Sequence, residues 1–152
     1  MNDQQQSVHK LISAPQLVNG ASATTTAFDT VGFDSAKVKF VLGVTDAALT
    51  VLKVQESDDS GMSGATDVTG LVYGTSTDPD SGSTSALPTA TDDNKAFVFH
   101  IDLKGRKRYL DLVATVASGT TGANLYAEAE LSKANEGATS GTTRGFAANL
   151  IA

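Results

Sequence analysis

KVKFVLGVTDAALTVLKVQES, residues 37–57, contains two runs in which apolar side chains alternate with other residues. The first run places apolar side chains at every second position, at Val38, Phe40, Leu42 and Val44. A period of two is typical of a β-strand with one buried face. After the turn Thr45–Ala48 the alternation resumes in Leu49–Glu56. Two such runs joined by a short turn predict an antiparallel hairpin.

The rest of the chain repeats this pattern in shorter pieces. Further strands are predicted for Ala23–Asp29, Thr69–Gly74, Lys95–Asp102, Arg108–Val116 and Ala123–Leu131. Phe97, Phe99 and Ile101 are expected to face inward, and the last two runs, which enclose the turn sequence ASGTTG, predict a second hairpin. Short strands separated by turn clusters are typical of a β-sandwich or barrel.

The distribution of apolar residues divides the chain into three segments. We predict an N-terminal arm over residues 1–22, a β-sandwich domain over 23–132 and a C-terminal tail over 133–152. The two end segments bring too few apolar atoms to offset the entropy of ordering them, so we expect them to be mobile in a free monomer. For residues 1–22, with a short helical turn at Val8–Ile12, two interpretations stay open: a frayed tail, or an arm that orders on a neighbouring subunit.

The longest interruption between predicted strands is Thr75–Asn94, TSTDPDSGSTSALPTATDDN. A loop of this length inside one domain is usually either functional or flexible. We expect this loop at one end of the sandwich, where binding loops cluster.

Composition excludes several classes of function. The formal net charge of −6 and the pI of about 4.7 argue against nucleic acid as a partner. The absence of cysteine excludes disulfides and thiolate chemistry. No run approaches 18 apolar residues, so we expect no membrane partner, and MNDQQQSVHK lacks the apolar region of a secretory signal.

Three groups of residues are candidates for chemistry, and each has a simpler interpretation. His9 and the pair His100 and Asp102 lack the signature of a nucleophile site, so we expect solvated or interface histidines. Asp78–Gly82 and Asp92–Asn94 resemble pieces of a calcium loop, but the third Asp or Asn and the final Glu are missing, which favours turn-forming aspartates.

The third group is the basic run Lys104–Arg108, KGRKR, on a predicted turn. It is open to three interpretations: a solvated turn, a salt-bridge site for a protein, or a nucleic-acid contact. No phosphate loop, dinucleotide fingerprint or H-E-x-x-H motif occurs. We therefore expect no enzyme, with no catalytic, cofactor-binding or metal-binding residues and no cofactor.

Four short segments carry a resemblance to a known family. They are VGFDSA at Val31–Ala36, VQESDD at Val54–Asp59, KRYLDL at Lys107–Leu112 and SGTTGA at Ser118–Ala123. Their order resembles small head-associated proteins of tailed bacteriophages, in which an LQESDD-like strand end is followed by a KRYVRV-like strand and a Gly/Thr turn. The resemblance spans about residues 30–131, with Val54 in place of the usual Leu and Asp111 where Arg is frequent.

The resemblance implies a virion structural protein that decorates or cements the outer surface of an icosahedral capsid, made in the host cytoplasm. It implies the major capsid protein as partner, and self-association into dimers or trimers is expected. The resemblance does not cover the arms. From the residues alone, we expect loose termini to reach adjacent capsomers, where several weak contacts together raise avidity. Together with the strand pattern, we predict an all-β protein: an antiparallel, jelly-roll-like β-sandwich with extended N- and C-terminal arms. The alternative is a glycan- or receptor-binding module of a virion or cell surface, with residues 75–94 as recognition loop and Tyr73 as its nearby aromatic.

Overall fold

The computed structural model describes residues 7–134, and within that range the chain forms eight β-strands and no helix. The strands are β1 (Val8–Val18), β2 (Phe28–Asp29), β3 (Phe33–Thr45), β4 (Leu49–Ser57), β5 (Thr66–Val72), β6 (Lys95–Asp102), β7 (Tyr109–Val116) and β8 (Ala123–Ala134). They make two four-stranded antiparallel sheets. Sheet A has the order β1-β8-β3-β6, and sheet B has the order β2-β7-β4-β5.

The strand order is that of a jelly roll, which confirms the predicted fold class. Strand β1 pairs with β8, β2 with β7, β3 with β6 and β4 with β5. The chain therefore follows the path of one long hairpin, bent at β4 and β5 and then rolled up. The additional pairs β3–β8 and β4–β7 close the roll into two sheets.

The core lies between the sheets and is built from the predicted alternation. Val38, Phe40 and Leu42 are fully buried on β3. On β8 their cross-strand neighbours are Ala129, Ala127 and Leu125, so small side chains lie beside the large ring of Phe40. Sheet B supplies the opposite wall through buried side chains on β4 and β7, namely Leu52, Val54, Leu110, Leu112, Ala114 and Val116. Large and small side chains on facing positions thus interlock in the interior.

Both predicted hairpins are wrong, although their strands are correct. Strand β3 lies in sheet A and β4 in sheet B, and the same separation holds for β8 and β7. The turns Thr45–Ala48 and 117–122 are therefore corners that carry the chain from one sheet to the other. Period-two alternation shows which face of a strand is buried, and it contains no information about the neighbouring strand.

The two corners lie side by side. The N–H of Asp46 donates to the carbonyl oxygen of Gly122 at 3.1 Å, and the N–H of Ala117 donates to that of Ala48 at 2.9 Å. The carboxylate of Asp46 accepts the N–H groups of Thr121 and Gly122, each at 2.7 Å. One side chain thus joins the corner between β3 and β4 to the corner between β7 and β8.

The expected N-terminal arm and its short helical turn are wrong for residues 8–18. These residues form β1, which pairs with β8 at the edge of sheet A and buries Val8, Ile12 and Val18. Two register shifts on either side of Ser13 interrupt the period of two, which hid the strand from sequence analysis. Residues 1–6 of the arm and 135–152 of the tail lie outside the described range, while Lys133 and Ala134 end β8.

Two other segments differ from expectation. Of the strand predicted at Ala23–Asp29, only the last two residues form β2. The loop at residues 75–94 folds on itself: Thr77 and Thr84 form a bridge, and the N–H of Asp78 donates to the carbonyl of Ser83 at 2.8 Å. Pro88 is buried and accepts the N–H of Leu49 at 3.0 Å, so the loop is attached to the core.

Gly122 should be less replaceable than Gly32, although both have a positive φ, +97° and +87°. A Cβ at Gly122 would overlap the backbone of Val18, whereas a Cβ at Gly32 meets nothing within 4 Å. Gly32→Ala should lower the free energy of unfolding by about 1 kcal/mol because of φ strain. Gly122→Ala should lower the free energy of unfolding by about 1–3 kcal/mol more than Gly32→Ala does, because its Cβ also overlaps the backbone of Val18. Urea denaturation measures both, and equal losses would contradict the packing of β1 against this corner.

Candidate interaction surface

The basic run Lys104–Arg108 lies on the turn between β6 and β7, and its two arginines face acidic groups of the same chain. Arg106 Nη1 lies 3.6 Å from Glu56 Oε1, and the N–H of Lys107 donates to Glu56 Oε2 at 3.2 Å. Arg108 donates to both carboxylate oxygens of Asp29, at 3.0 and 2.7 Å. The run therefore ties β7 to β2 and β4. Lys107 Nζ contacts the hydroxyl of Thr66 at 3.4 Å, so within residues 7–134 neither Lys104 nor Lys107 has a side-chain ion pair.

The Asp29–Arg108 pair is strengthened by its two-point geometry. The guanidinium of Arg108 also lies 5.1 Å from the centre of the Tyr109 ring. Hydrogen bonding from Arg108 lowers the pKa of Asp29 below its ordinary value of 3.8, and the N–H of Val31 contributes in the same direction. Both partners are exposed to solvent, so the pair's contribution to stability is small.

The acidic segments are turn-forming, as predicted. Asp78 Oδ1 accepts the N–H of Asp80 at 2.9 Å, and Asp93 Oδ1 accepts the N–H of Thr45 at 2.7 Å. Asp92 binds Lys95 and Thr89, and these contacts, led by Lys95, lower its pKa to about 2. Within residues 7–134 no three His, Asp or Glu side chains are arranged to hold a metal ion.

The histidine candidates are not assembled into a catalytic group. His100 is exposed on β6, opposite Lys37 of β3. Asp102 Oδ1 accepts the N–H of Lys104 at 3.0 Å, which commits this carboxylate to the turn that follows β6. His9 lies on β1 opposite Glu130. The two histidines therefore lie on different strands of sheet A, with β8 and β3 between them.

The outer surface of sheet A has a charged part and an apolar part. In the charged part, Lys37 pairs with Glu130 at 2.9 Å and Lys39 with Glu128 at 2.6 Å, across β3 and β8. Next to these pairs on the same two strands, Val41 and Tyr126 oppose each other in register.

The apolar part contains two large exposed side chains that sequence analysis missed. Leu17 of β1 opposes Asn124 of β8, whose amide donates to the carbonyl of Val44 at 3.4 Å. Leu17 is 57% exposed and Val44 is 65% exposed. We call these side chains, with Asn124 between them, the Leu17–Val44 patch.

The exposure of Val44 overturns its predicted inward orientation. Strand β3 shifts register against β8 between Leu42 and Thr45, and Thr45 is buried in its place. Its hydroxyl bonds Ala47 at both the carbonyl and the N–H, at 2.7 and 3.2 Å, which satisfies the buried oxygen. A polar residue followed by turn-forming Asp46 is a weak signal for such a shift, since it is equally compatible with a regular strand end.

A groove of about 760 Å³ runs along the other side of the sandwich. Its walls are the edge strands β5 and β6 and the loop that contains Asp78 and Asp80. Tyr73 closes its floor: the ring packs against Phe97 and Phe99, with centres 5.8 and 5.1 Å apart, and the hydroxyl donates to the carbonyl of Val98 at 3.2 Å. Burial raises the pKa of Tyr73.

Comparisons with known proteins show little. No protein-family model matches the chain, and no curated protein matches it. Among solved structures the fold is similar to that of the SPBc2 prophage-derived protein YomS, with 11% identity, a TM-score of 0.48, and coverage of 82% of this chain and 91% of that chain. At that TM-score the similarity supports no argument about function. The described residues contain no helix of a length and hydropathy suited to crossing a membrane.

Asp29→Asn should destabilise the protein at neutral pH and not in acid. A carboxylate with a lowered folded-state pKa stabilises the fold above its ordinary value, 3.8, and this contribution is lost as the pH falls through the lowered pKa. At neutral pH we expect Asp29→Asn to lower the free energy of unfolding by at most about 1 kcal/mol, because the Asp29–Arg108 pair is exposed. Urea denaturation at several pH values measures it, with the exposed Asp58→Asn as the matched control. A loss that persists in strong acid would show that Asp29 acts by something other than its charge.

Calcium should not bind the acidic loop. The carboxylates of Asp78, Asp92 and Asp93 are already used by N–H groups and Lys95. Calorimetric titration to about 1 mM calcium should therefore release no binding heat, while an EF-hand protein in the same titration should. Saturable heat that disappears in Asp78→Asn would overturn the assignment of these residues as turn formers.

Proposed function

We propose that this chain is a non-enzymatic virion structural protein of a tailed bacteriophage. In this proposal it binds the outer surface of an icosahedral head as a decoration or cement protein and bridges capsid subunits. Its partners are the major capsid protein and further copies of itself, as dimers or trimers, and it binds neither nucleic acid nor membrane. The chain is made in the host cytoplasm and ends on the virion.

One observation carries the proposal: two of the segments on which the phage resemblance depends are neighbours in the fold. VQESDD ends β4 and KRYLDL opens β7, and the two strands pair there, with Gln55 opposite Asp111, Glu56 opposite Leu110 and Ser57 opposite Tyr109. Arg106 then contacts Glu56. Segments about 50 residues apart that resemble one family and also pair with each other support a common fold better than separate short matches do.

Asp111, which departs from the family pattern, is accommodated without a cation. It is half-buried, accepts the hydroxyl of Thr25 at 3.1 Å and its neighbour Leu112 N–H at 2.8 Å, and has its pKa raised by burial. The segment before β2 thus covers the position that Arg often takes in the family. The departure is local and leaves the pairing of β4 and β7 intact.

The surface of the sandwich suits a protein that acts by contact. No buried side-chain nitrogen or oxygen in the described range lacks a hydrogen-bond partner. Lys37, Lys39, Arg106 and Arg108 are paired with carboxylates of the same chain. Four large apolar side chains stay more than half exposed, namely Leu11, Leu17, Val31 and Val44. The contact surface in this proposal is the Leu17–Val44 patch. Contacts of this size are weak singly, and many copies on a shell gain strength through multivalency.

The glycan- or receptor-binding alternative has residues 75–94 as its recognition loop, and Tyr73 is the one aromatic near that loop that could stack on a sugar. Because that ring packs on Phe97 and Phe99 and its hydroxyl bonds Val98, its contacts are already made within the chain. We therefore do not advance this alternative. A glycan array distinguishes the two functions. Capsid decoration predicts no specific glycan signal, whereas the alternative predicts binding to particular glycans.

The proposal is tested by mixing the purified chain with undecorated heads of the phage that encodes it and pelleting the heads. The native chain should sediment with them at a fixed, saturable copy number. A double variant with Leu17→Glu and Val44→Glu should bind at least about tenfold more weakly, because each charge would be desolvated in the contact. Thr69→Glu, an exposed change on sheet B, is the matched control and should bind normally.

Circular dichroism and urea denaturation should show that all three proteins are folded. A native chain that stays in the supernatant while undecorated heads pellet would contradict the proposal. Equal binding of the double variant and the control would exclude the Leu17–Val44 patch as the contact surface.

A further inference from the structure

Strand β6 forms the most regular sheet edge within residues 7–134. It pairs only with β3, over eight residues in unbroken register, and its sequence KAFVFHID contains neither Pro nor Gly. The other three edges are short or irregular: β2 has two residues, β1 has Pro15 and two register shifts, and β5 has Gly70 and a register shift. Proteins normally disrupt or cover a regular edge, since it accepts other strands. Strand β6 therefore keeps the capacity to pair on its second side.

The main-chain groups on the open side of β6 follow from its pairing with β3. The N–H of Leu103 donates to the carbonyl of Asp34 at 3.0 Å, in line with the ladder between the two strands. Alternate residues of an antiparallel strand direct their N–H and C=O groups to opposite sides, so the odd-numbered residues of β6 face β3. The residues that face away are Ala96, Val98 and His100. The hydroxyl of Tyr73 reaches the carbonyl of Val98 from this open side, at 3.2 Å.

The open edge of β6 is one wall of the groove of about 760 Å³, which we call the β5–β6 groove. Three large apolar side chains line it, Leu71, Tyr73 and Phe97, and all three are only partly buried although they pack against the core. The sheets of a sandwich lie about 10 Å apart, which leaves room for one extended chain between their edge strands. A chain added to β6 covers these side chains from water, and such burial is favourable.

The β5–β6 groove also has an acidic wall. The loop after β5 brings Asp78 and Asp80 to the groove, and the side chain of Asp80 is exposed. Burial is the main cause of the raised pKa of Tyr73, and the negative charge of Asp78 raises that pKa further. The charge of the loop thus acts on the floor of the groove, where it favours a basic side chain.

These features define the chemistry of the occupant. In strand addition, main-chain hydrogen bonds supply affinity and pockets for alternate side chains supply specificity. A segment that fits is extended, with apolar side chains at alternate positions and a Lys or Arg near one end. A second copy of this chain fits poorly, because Asp78 and Asp80 also flank its own β6. Self-pairing would bring two acidic loops together, each on a chain of net charge −6.

We propose that the β5–β6 groove binds an extended segment of a partner protein, which adds antiparallel to β6 as a fifth strand of sheet A. Alternate apolar side chains of the segment pack on Leu71, Tyr73 and Phe97, and its Lys or Arg meets Asp78 and Asp80. The site is at the opposite edge of sheet A from β1, which carries Leu17. The inference does not depend on the partner's being a capsid protein.

Nuclear magnetic resonance titration of the isotope-labelled full chain tests the proposal with two blocked synthetic peptides, RTVTFTV and VTFTVTR. Both alternate apolar side chains with Thr, and they place Arg at either end of an antiparallel strand. At least one should shift the amide signals of Ala96, Val98 and His100 saturably, with a Kd at or below about 1 mM. Replacing its Arg by Glu should weaken binding at least about fivefold, because Glu meets the acidic loop.

The hydrogen bonds to β6 are tested by methylation of the peptide. With the apolar side chains in the groove, the N–H groups of the three Thr residues face β6. N-methylation of these residues should therefore weaken binding at least about tenfold. The same peptide N-methylated at its Val and Phe residues, whose N–H groups point away from β6, is the matched control and should still bind.

Two variants of the chain test the same contacts from the other side. Val98→Pro removes an open-side N–H and spares the ladder to β3, since Pro is tolerated where the N–H of an edge strand faces solvent. It should weaken peptide binding at least about tenfold, whereas Val98→Thr should bind normally. Asp80→Asn should weaken binding about threefold, and the exposed Asp58→Asn should not. Urea denaturation should show that all four variants are folded.

The possible results separate the occupants. Saturable shifts along β6 that are lost on Thr methylation support the proposal. No saturable shift with either peptide, or equal binding of both methylated forms, would overturn it. Sedimentation of the free chain gives a further check: a dimer that the peptide dissociates would assign the edge to a second copy and overturn the partner strand. None of these measurements involves heads, so they stand apart from the pelleting result.

Discussion

The carboxylate of Asp46 holds together the two corners on which the jelly roll depends. It accepts the N–H groups of Thr121 and Gly122, and these bonds, the one to Gly122 most, lower its pKa. Each corner carries the chain between sheets, and the paired strands on either side must stay in register: β3 with β8 in sheet A, and β4 with β7 in sheet B. If the corners separated, the strand pairs β3–β8 and β4–β7 would no longer be held together where they meet at the corners. Gly122 serves the same junction by letting β1 approach the backbone of the second corner.

Sequence periodicity correctly predicts which face of a regular strand is buried, but it does not predict which strands pair with each other. It identified β6, β7 and β8 and their buried residues, because each is a regular strand whose alternation is visible over eight or more residues. It misassigned both hairpins, since a corner and a hairpin turn of similar length have similar composition. It missed β1 because the bulges around Ser13 break the period, and it misplaced Val44 because a register shift follows Leu42.

For the candidate sites, the sequence shows which known motifs it lacks, and the structure shows where the candidate residues lie. No nucleophile motif or complete calcium loop is present in the sequence. In the structure the carboxylates of Asp78, Asp93 and Asp102 accept backbone N–H groups, and His9 and His100 lie on separate strands of sheet A. The surfaces that remain could not be predicted from the chain. The Leu17–Val44 patch arises from irregularities in two strands, and the open edge of β6 arises from its place in the sheet order. Both depend on contacts between residues far apart in sequence.

The pairing of β1 with β8 also determines how the molecule can be re-engineered. Val8 opposes Leu131, so the two ends of the described chain lie beside each other at one side of sheet A. A short linker could join them, with new termini opened in the exposed turn at residues 58–61. Such a circular permutant would convert the most distant contact of the fold into a local hairpin. Because folding slows as the sequence separation of contacts grows, the permutant should fold faster than the natural chain order.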